Sequence, residues 1–286
     1  MFRLEEQFPD QLQSHLDRLP ILLLPLGTIE WHSHHLPLGL DGMVAQAICE
    51  NAAGRLGAIL APVSYWAVGG VPYPYTLDLS ADIVEPLYAS VLEQYGAMGF
   101  KVIVALTGHF GLDQTLTVKR AALAVMQRSP VTILPVTEYD LVTDMYTGDH
   151  AGTGETSLMW ALRPDLVRFN EATGEEAFDG VLGDNPRHSA SPEKGSELFN
   201  LIAERTAEVS LRLLKQTAPV RRADFIEALR AGVRVLEKTA QLRAAMPKKE
   251  APPIVTPSYI AYCQSIYRGD YRAAKANAEQ KLAELV

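Results

Sequence analysis

Four short, nearly continuous apolar runs mark the first half of the chain, at residues 21–26, 58–63, 101–106 and 131–136. Runs of this length, closed by glycine or polar residues, predict strands buried on both faces. Between them the apolar positions recur every three or four residues, over 43–56, 81–98 and 113–126. Those stretches predict amphipathic helices, long enough for right-handed crossovers between parallel strands. Alternating strands and helices then imply an α/β chain, a three-layer α/β/α sandwich around a mostly parallel sheet. Residues 64–78 break the pattern with a loop rich in glycine, proline and aromatic residues, able to wall a pocket. Its Tyr65, Trp66, Tyr73 and Tyr75 suit stacking on a flat substrate, or plain packing on their own domain. A helical pattern over 197–215 closes the core. Beyond about Pro219 the chain changes character: one long helical pattern to Met246, a break at KKEAPPIVTP, then two more helical stretches around Arg268-Gly269-Asp270. Residues 1–217 are therefore expected to form one domain, and 218–286 a C-terminal helical extension.

Composition narrows the functional classes. The 286 residues are 48% hydrophobic and 21% charged, as in an ordinary globular protein with a sizeable core. A net charge of −8 repels phosphate backbones and anionic membranes, so neither nucleic acid nor membrane is an expected partner. Cys49 and Cys263 are too few for a disulfide framework, and no export or membrane signal is visible, which together predict a cytoplasmic location.

The chemistry gathers at three places. The run at 21–26 leads into GTIEWHSHHLPLGLD, where Glu30 and His32 of an extended chain would share one face and Trp31 the other. Asp41, just ahead of the next helical pattern, can reach back to the pair. Carboxylate, imidazole and carboxylate at the end of a strand suit a divalent metal; a plain N-cap is the competing role for Asp41. The run at 101–106 ends in Thr107-Gly108-His109-Phe110-Gly111, placing His109 at a strand's carboxyl end. The third cluster puts His150 in a glycine-rich loop and Glu155 in a first helical turn, where a Glu also favours the helix dipole.

Taken together, EWHSHHLPLGLD, LTGHFG and HAGTGETSLMWAL resemble the motifs of the creatininase family of metal-dependent amidohydrolases. The resemblance covers about residues 1–217. It implies Glu30, His32, Asp41, His109 and Glu155 as ligands of two divalent ions, Zn²⁺ or Mn²⁺, with Asp41 bridging them and His150 shuttling a proton. It also implies a homo-oligomer, a hexamer, acting on a small molecule. The expected reaction is hydrolysis of a C–N bond, that of a cyclic amide in the family's manner, by a metal-activated water; relatives also suggest carbon–carbon cleavage of a cyclic polyol diketone. A non-catalytic metal-stabilised scaffold is the competing class, opposed by the presence of competent residues at all five ligand positions. Departures fall on the substrate side: Thr107 and Leu112 replace common asparagines, Gly111 replaces a glutamate of creatininase itself, and Trp31 replaces a common glutamine. Trp31, Trp66 and Tyr73 are the candidate substrate-binding residues.

Overall fold

The fold comes from a computed structural model that describes residues 2–169, 178–216, 219–246 and 252–285. In chain order it runs β1 (Phe2–Arg3), α1 (Pro9–Arg18), β2 (Ile21–Leu26), α2 (Leu40–Leu56), β3 (Ile59–Leu60), α3 (Ala81–Ala97), β4 (Val102–Thr107), α4 (Leu112–Arg128) and β5 (Thr132–Thr137). There follow α5 (Thr153–Leu162), the short α6 (Pro186–Ser189), α7 (Pro192–Lys215), α8 (Pro219–Ala245), α9 (Pro257–Arg268) and α10 (Tyr271–Ala283).

Five strands form one parallel sheet in the order β1-β3-β2-β4-β5. The two central strands, β2 and β4, are buried along their whole length, as their unbroken apolar runs require. Helices α2, α5 and α7 pack together on one face, while α3 and α4 cover the other, giving the expected three layers. The second apolar run is a strand only at Ile59–Leu60, because Pro62 has no N–H to continue the ladder. Pairing resumes at Ser64, whose N–H donates to the Pro25 carbonyl and whose carbonyl accepts from Gly27 N.

The C-terminal helices lie on the same chain's core. α8 packs along α4 and buries Phe225, Leu229, Val233 and Leu236. At its start, Arg222 donates to the carbonyls of Met126, Ser129 and Val131, capping the end of α4. The division at 217/218 lies outside the described residues. No helix among the described residues is long and apolar enough to cross a membrane.

Candidate metal centre

Two adjacent strand ends and two helix starts converge on one buried point. The chain leaving β2 carries Glu30 and His32, the chain leaving β4 carries His109, the first turn of α2 carries Asp41 and the first turn of α5 carries Glu155. Two glycines let the start of α2 press onto the sheet. A Cβ at Gly27 would lie 2.2 Å from Gly42 N, and one at Gly108 2.2 Å from the Asp41 carbonyl oxygen. Any side chain at either position would push Asp41 away from the strand ends.

The geometry around Asp41 is two-sided. Oδ1 lies 2.9 Å from His32 Nε2, and Oδ2 lies 3.3 Å from His109 Nδ1. Glu155 Oε2 joins the first side, 3.6 Å from His32 Nε2, and Glu30 Oε2 joins the second, 2.8 Å from His109 Nδ1. Glu30, Asp41 and His109 thus converge within 4.8 Å, as do His32, Asp41 and Glu155; a third grouping sets His150 beside Glu30 and His32. Glu30 and His32 come together as expected, but from irregular chain beyond β2 and not from an extended strand. The chain after Leu26 leaves the sheet and runs irregularly through 27–32, with His32 on the Oδ1 side of Asp41 and Glu30 on the Oδ2 side, beside His109.

Each ligand candidate is held from behind. His32 Nδ1 lies 3.0 Å from the Glu30 carbonyl, so this nitrogen carries the proton and the Nε2 lone pair faces the carboxylates. Val71 N, from the loop at 64–78, donates to Glu30 Oε1 at 2.7 Å. Ala151, in the left-handed region at φ 51°, donates its N–H to Glu155 Oε2 at 2.6 Å. Yet both Asp41 oxygens, Glu30 Oε2, His32 Nε2 and His109 Nε2 are buried without a hydrogen-bond partner. Buried lone pairs facing one another are costly unless a cation lies between them. The donor set of imidazoles and carboxylates is that of zinc or manganese.

The titration behaviour agrees. Burial pushes the Asp41 carboxyl up, but the facing His32 and His109 outweigh it and leave it well below its usual range. Burial opposes protonation of His109, but the facing Asp41 and Glu30 carboxylates outweigh it and raise it to about 10. Burial, followed by the Asp41 charge, pushes Glu155 well up.

The N-cap of α2 is Gly39, so Asp41 does not cap its helix. At α5 the residue doing so is Asp149, whose carboxylate accepts from Gly154 N at 2.7 Å and Glu155 N at 3.2 Å. His150 stands beside His32, ring centroids 4.6 Å apart, with Nε2 2.8 Å from the Trp31 carbonyl. Trp31 and Tyr73 stack at 5.6 Å and both hydrogen-bond Asp179. Trp66 is separate from them: it lines another cavity with Leu87 and Tyr88. One residue went unnoticed in the sequence. Glu138, directly after β5, is fully buried with neither carboxylate oxygen hydrogen-bonded, and burial, then the Asp41 charge, pushes it well up. Its signal was an acid at the carboxyl end of a predicted strand.

A family model described as creatinine amidohydrolase, Creatininase, matches residues 5–210. The chain belongs to the creatininase family. Among curated relatives, this creatininase-family chain is similar to creatinine amidohydrolase of Pseudomonas putida, 28% identical over 173 residues, covering 51% of the chain and 66% of the relative. It is also similar to mycofactocin precursor peptide peptidase of Mycolicibacterium smegmatis, 29% identical over 180 residues, covering 57% and 68%. The chain thus spans about two thirds of these relatives' length. Its fold is that of a solved structure titled Creatininase Mn, with a TM-score of 0.64 and 22% identity, covering 72% of this chain and 96% of that one. By family the chain is an enzyme of the hydrolase class.

Proposed function

We propose that this chain is a metal-dependent hydrolase holding two divalent ions, Zn²⁺ or Mn²⁺, and cutting a C–N amide bond of a small polar molecule. Glu30 and His109 would hold one ion and His32 and Glu155 the other, with Asp41 shared. The observation carrying this reading is the pair of unpartnered Asp41 oxygens, each facing a different histidine. Bound there, the ions would supply Lewis acidity, polarising a carbonyl and acidifying a water.

The chain's own residues supply orientation and proton transfer. The Glu30 carbonyl fixes the His32 tautomer, and Val71 N and Ala151 N orient the two glutamates. His150 donates Nε2–H to the Trp31 carbonyl, which leaves Nδ1 to accept a proton and return it to a leaving nitrogen. Burial, and then the neighbouring His32, lower the His150 pKa and keep the ring ready to accept. The stacked Trp31 and Tyr73 form a substrate wall. Assembly as a homo-oligomer belongs to the same proposal.

Elemental analysis of protein purified without chelator tests the reading, with about two equivalents of metal expected. A screen of amide substrates follows on the same preparation. Folded protein that takes up no metal when Mn²⁺ or Zn²⁺ is supplied would end the proposal.

A further inference from the structure

The C-terminal helices help to enclose a cavity that reaches His150, which stands beside His32 at the metal centre. The cavity is about 430 Å³, a size suited to a small ligand. Gly111, Tyr139 and His150 line it from the core, and Arg243, Ile254 and Tyr259 line it from the C-terminal segment. A Cβ at Gly111 would lie 3.1 Å from His109 Nε2, so this wall of the cavity packs directly behind that ring.

The charges on its walls are unevenly engaged. Asp140 accepts from Lys119 Nζ at 2.8 Å, and Asp149 accepts from the first N–H groups of α5. Arg243 is exposed and lines the cavity, so it stands at the rim. Among the described residues it has no hydrogen bond or ion pair, and it is the one Lys or Arg on the cavity wall.

We propose that this cavity receives the non-reacting end of the substrate, and that this end carries a carboxylate bound by Arg243. The inference rests on the hydrolase reading and names its substrate class: a small amide acid. One rim cation balances one negative charge, and a guanidinium fork matches a carboxylate. A phosphate dianion would leave a charge unbalanced beside Asp140 and Asp149. The recognition element therefore comes from beyond residues 5–210, the part matched by the family.

The test is an NMR titration of the full, metal-loaded chain with N-acetylglycine and its uncharged counterpart N-acetylglycinamide, with metal content measured in each sample. The acid is expected to bind more tightly than the amide. Arg243→Gln should weaken the acid about tenfold and leave the amide unchanged, while Arg243→Glu should reverse the preference. Ile254→Trp, which fills the cavity, should weaken both probes. Arg234→Gln, on the same helix but 3.8 Å from Glu279, should change neither. Equal acid affinity in wild type and both Arg243 variants would overturn the proposal, since a carboxylate held only by the ions is indifferent to Arg243. Loss of Arg243-dependence in the Ile254→Trp protein supports it. A chain that binds the acid through Arg243 but takes up no metal would overturn the hydrolase reading and leave this assignment standing.

Discussion

Two buried clusters of charge in this molecule have opposite needs. Lys119 and Asp140 are both buried, and they answer each other: Lys119 Nζ donates to Asp140 Oδ2 at 2.8 Å and to the Pro135 carbonyl at 3.0 Å. Thr137 N adds a donor to Asp140, and Cys263 Sγ, from α9, lies 3.8 Å from its other oxygen. The cluster around Asp41 is as deeply buried but leaves five polar atoms of four residues unpartnered. Burial alone therefore does not mark a site. What marks it is buried charge that the protein does not itself balance, where an added cation gains the most.

The largest contrast should come from removing one acid from each cluster. Asp41→Ala should lose both ions and lower turnover by about a thousandfold or more, read by elemental analysis and rate. Retention of both ions in that variant would break the contrast. Asp140→Ala should keep the metals but cost about 3–5 kcal/mol of stability, because Lys119 is left buried and unpaired. Denaturant unfolding measures it, and the Lys119→Met, Asp140→Leu double variant should recover most of the loss.

A smaller effect separates ligand from shuttle within the site. His150→Ala should retain both ions and the fold while turnover falls about a hundredfold or more; His109→Ala should lose metal. Equal metal loss in the two variants would make His150 a ligand.

The mildest prediction concerns pH and the metal-free protein. His109 rises from 6.5 to about 10 on folding, and Glu138 and Glu155 rise well above 4.5. A raised group contributes its stability fully below its unfolded value and loses it as pH climbs through the folded one. All three act in one direction, so the melting temperature of the chelated protein should fall as pH rises from about 6.5 to about 10. Metal should flatten that slope, since His109 and Glu155 then hold an ion in place of a proton. A slope unchanged by metal would mean that these residues do not bind it.

Much of this was legible in the sequence. The apolar runs at 21–26, 101–106 and 131–136 became β2, β4 and β5 within a residue, because strands buried on both faces need unbroken apolar stretches. The five residues expected as ligands meet at one point. Less legible were features that depend on neighbours in space. The two-residue β1 carries no periodicity, and β3 is cut short by Pro62. The division of Glu30 and His32 about Asp41 comes from the irregular path of 27–32, which has no periodicity to read. Trp66 matched Trp31 and Tyr73 in type, but the path of its loop carries it to another cavity. Glu138 stood alone in sequence and acquires meaning only beside Asp41.

The close seating of α2 against Gly27 and Gly108 also sets an order of events in folding. Asp41 reaches its place only after β2 and β4 have paired, a contact spanning about eighty residues of chain, so loop closure comes before its carboxylate can face both His32 and His109. An unfolded chain offers an ion only scattered side chains. Metal should consequently enter late: Mn²⁺ added during refolding should slow unfolding without speeding the folding step, and a folding rate that rises with Mn²⁺ would place the site in the folding nucleus instead.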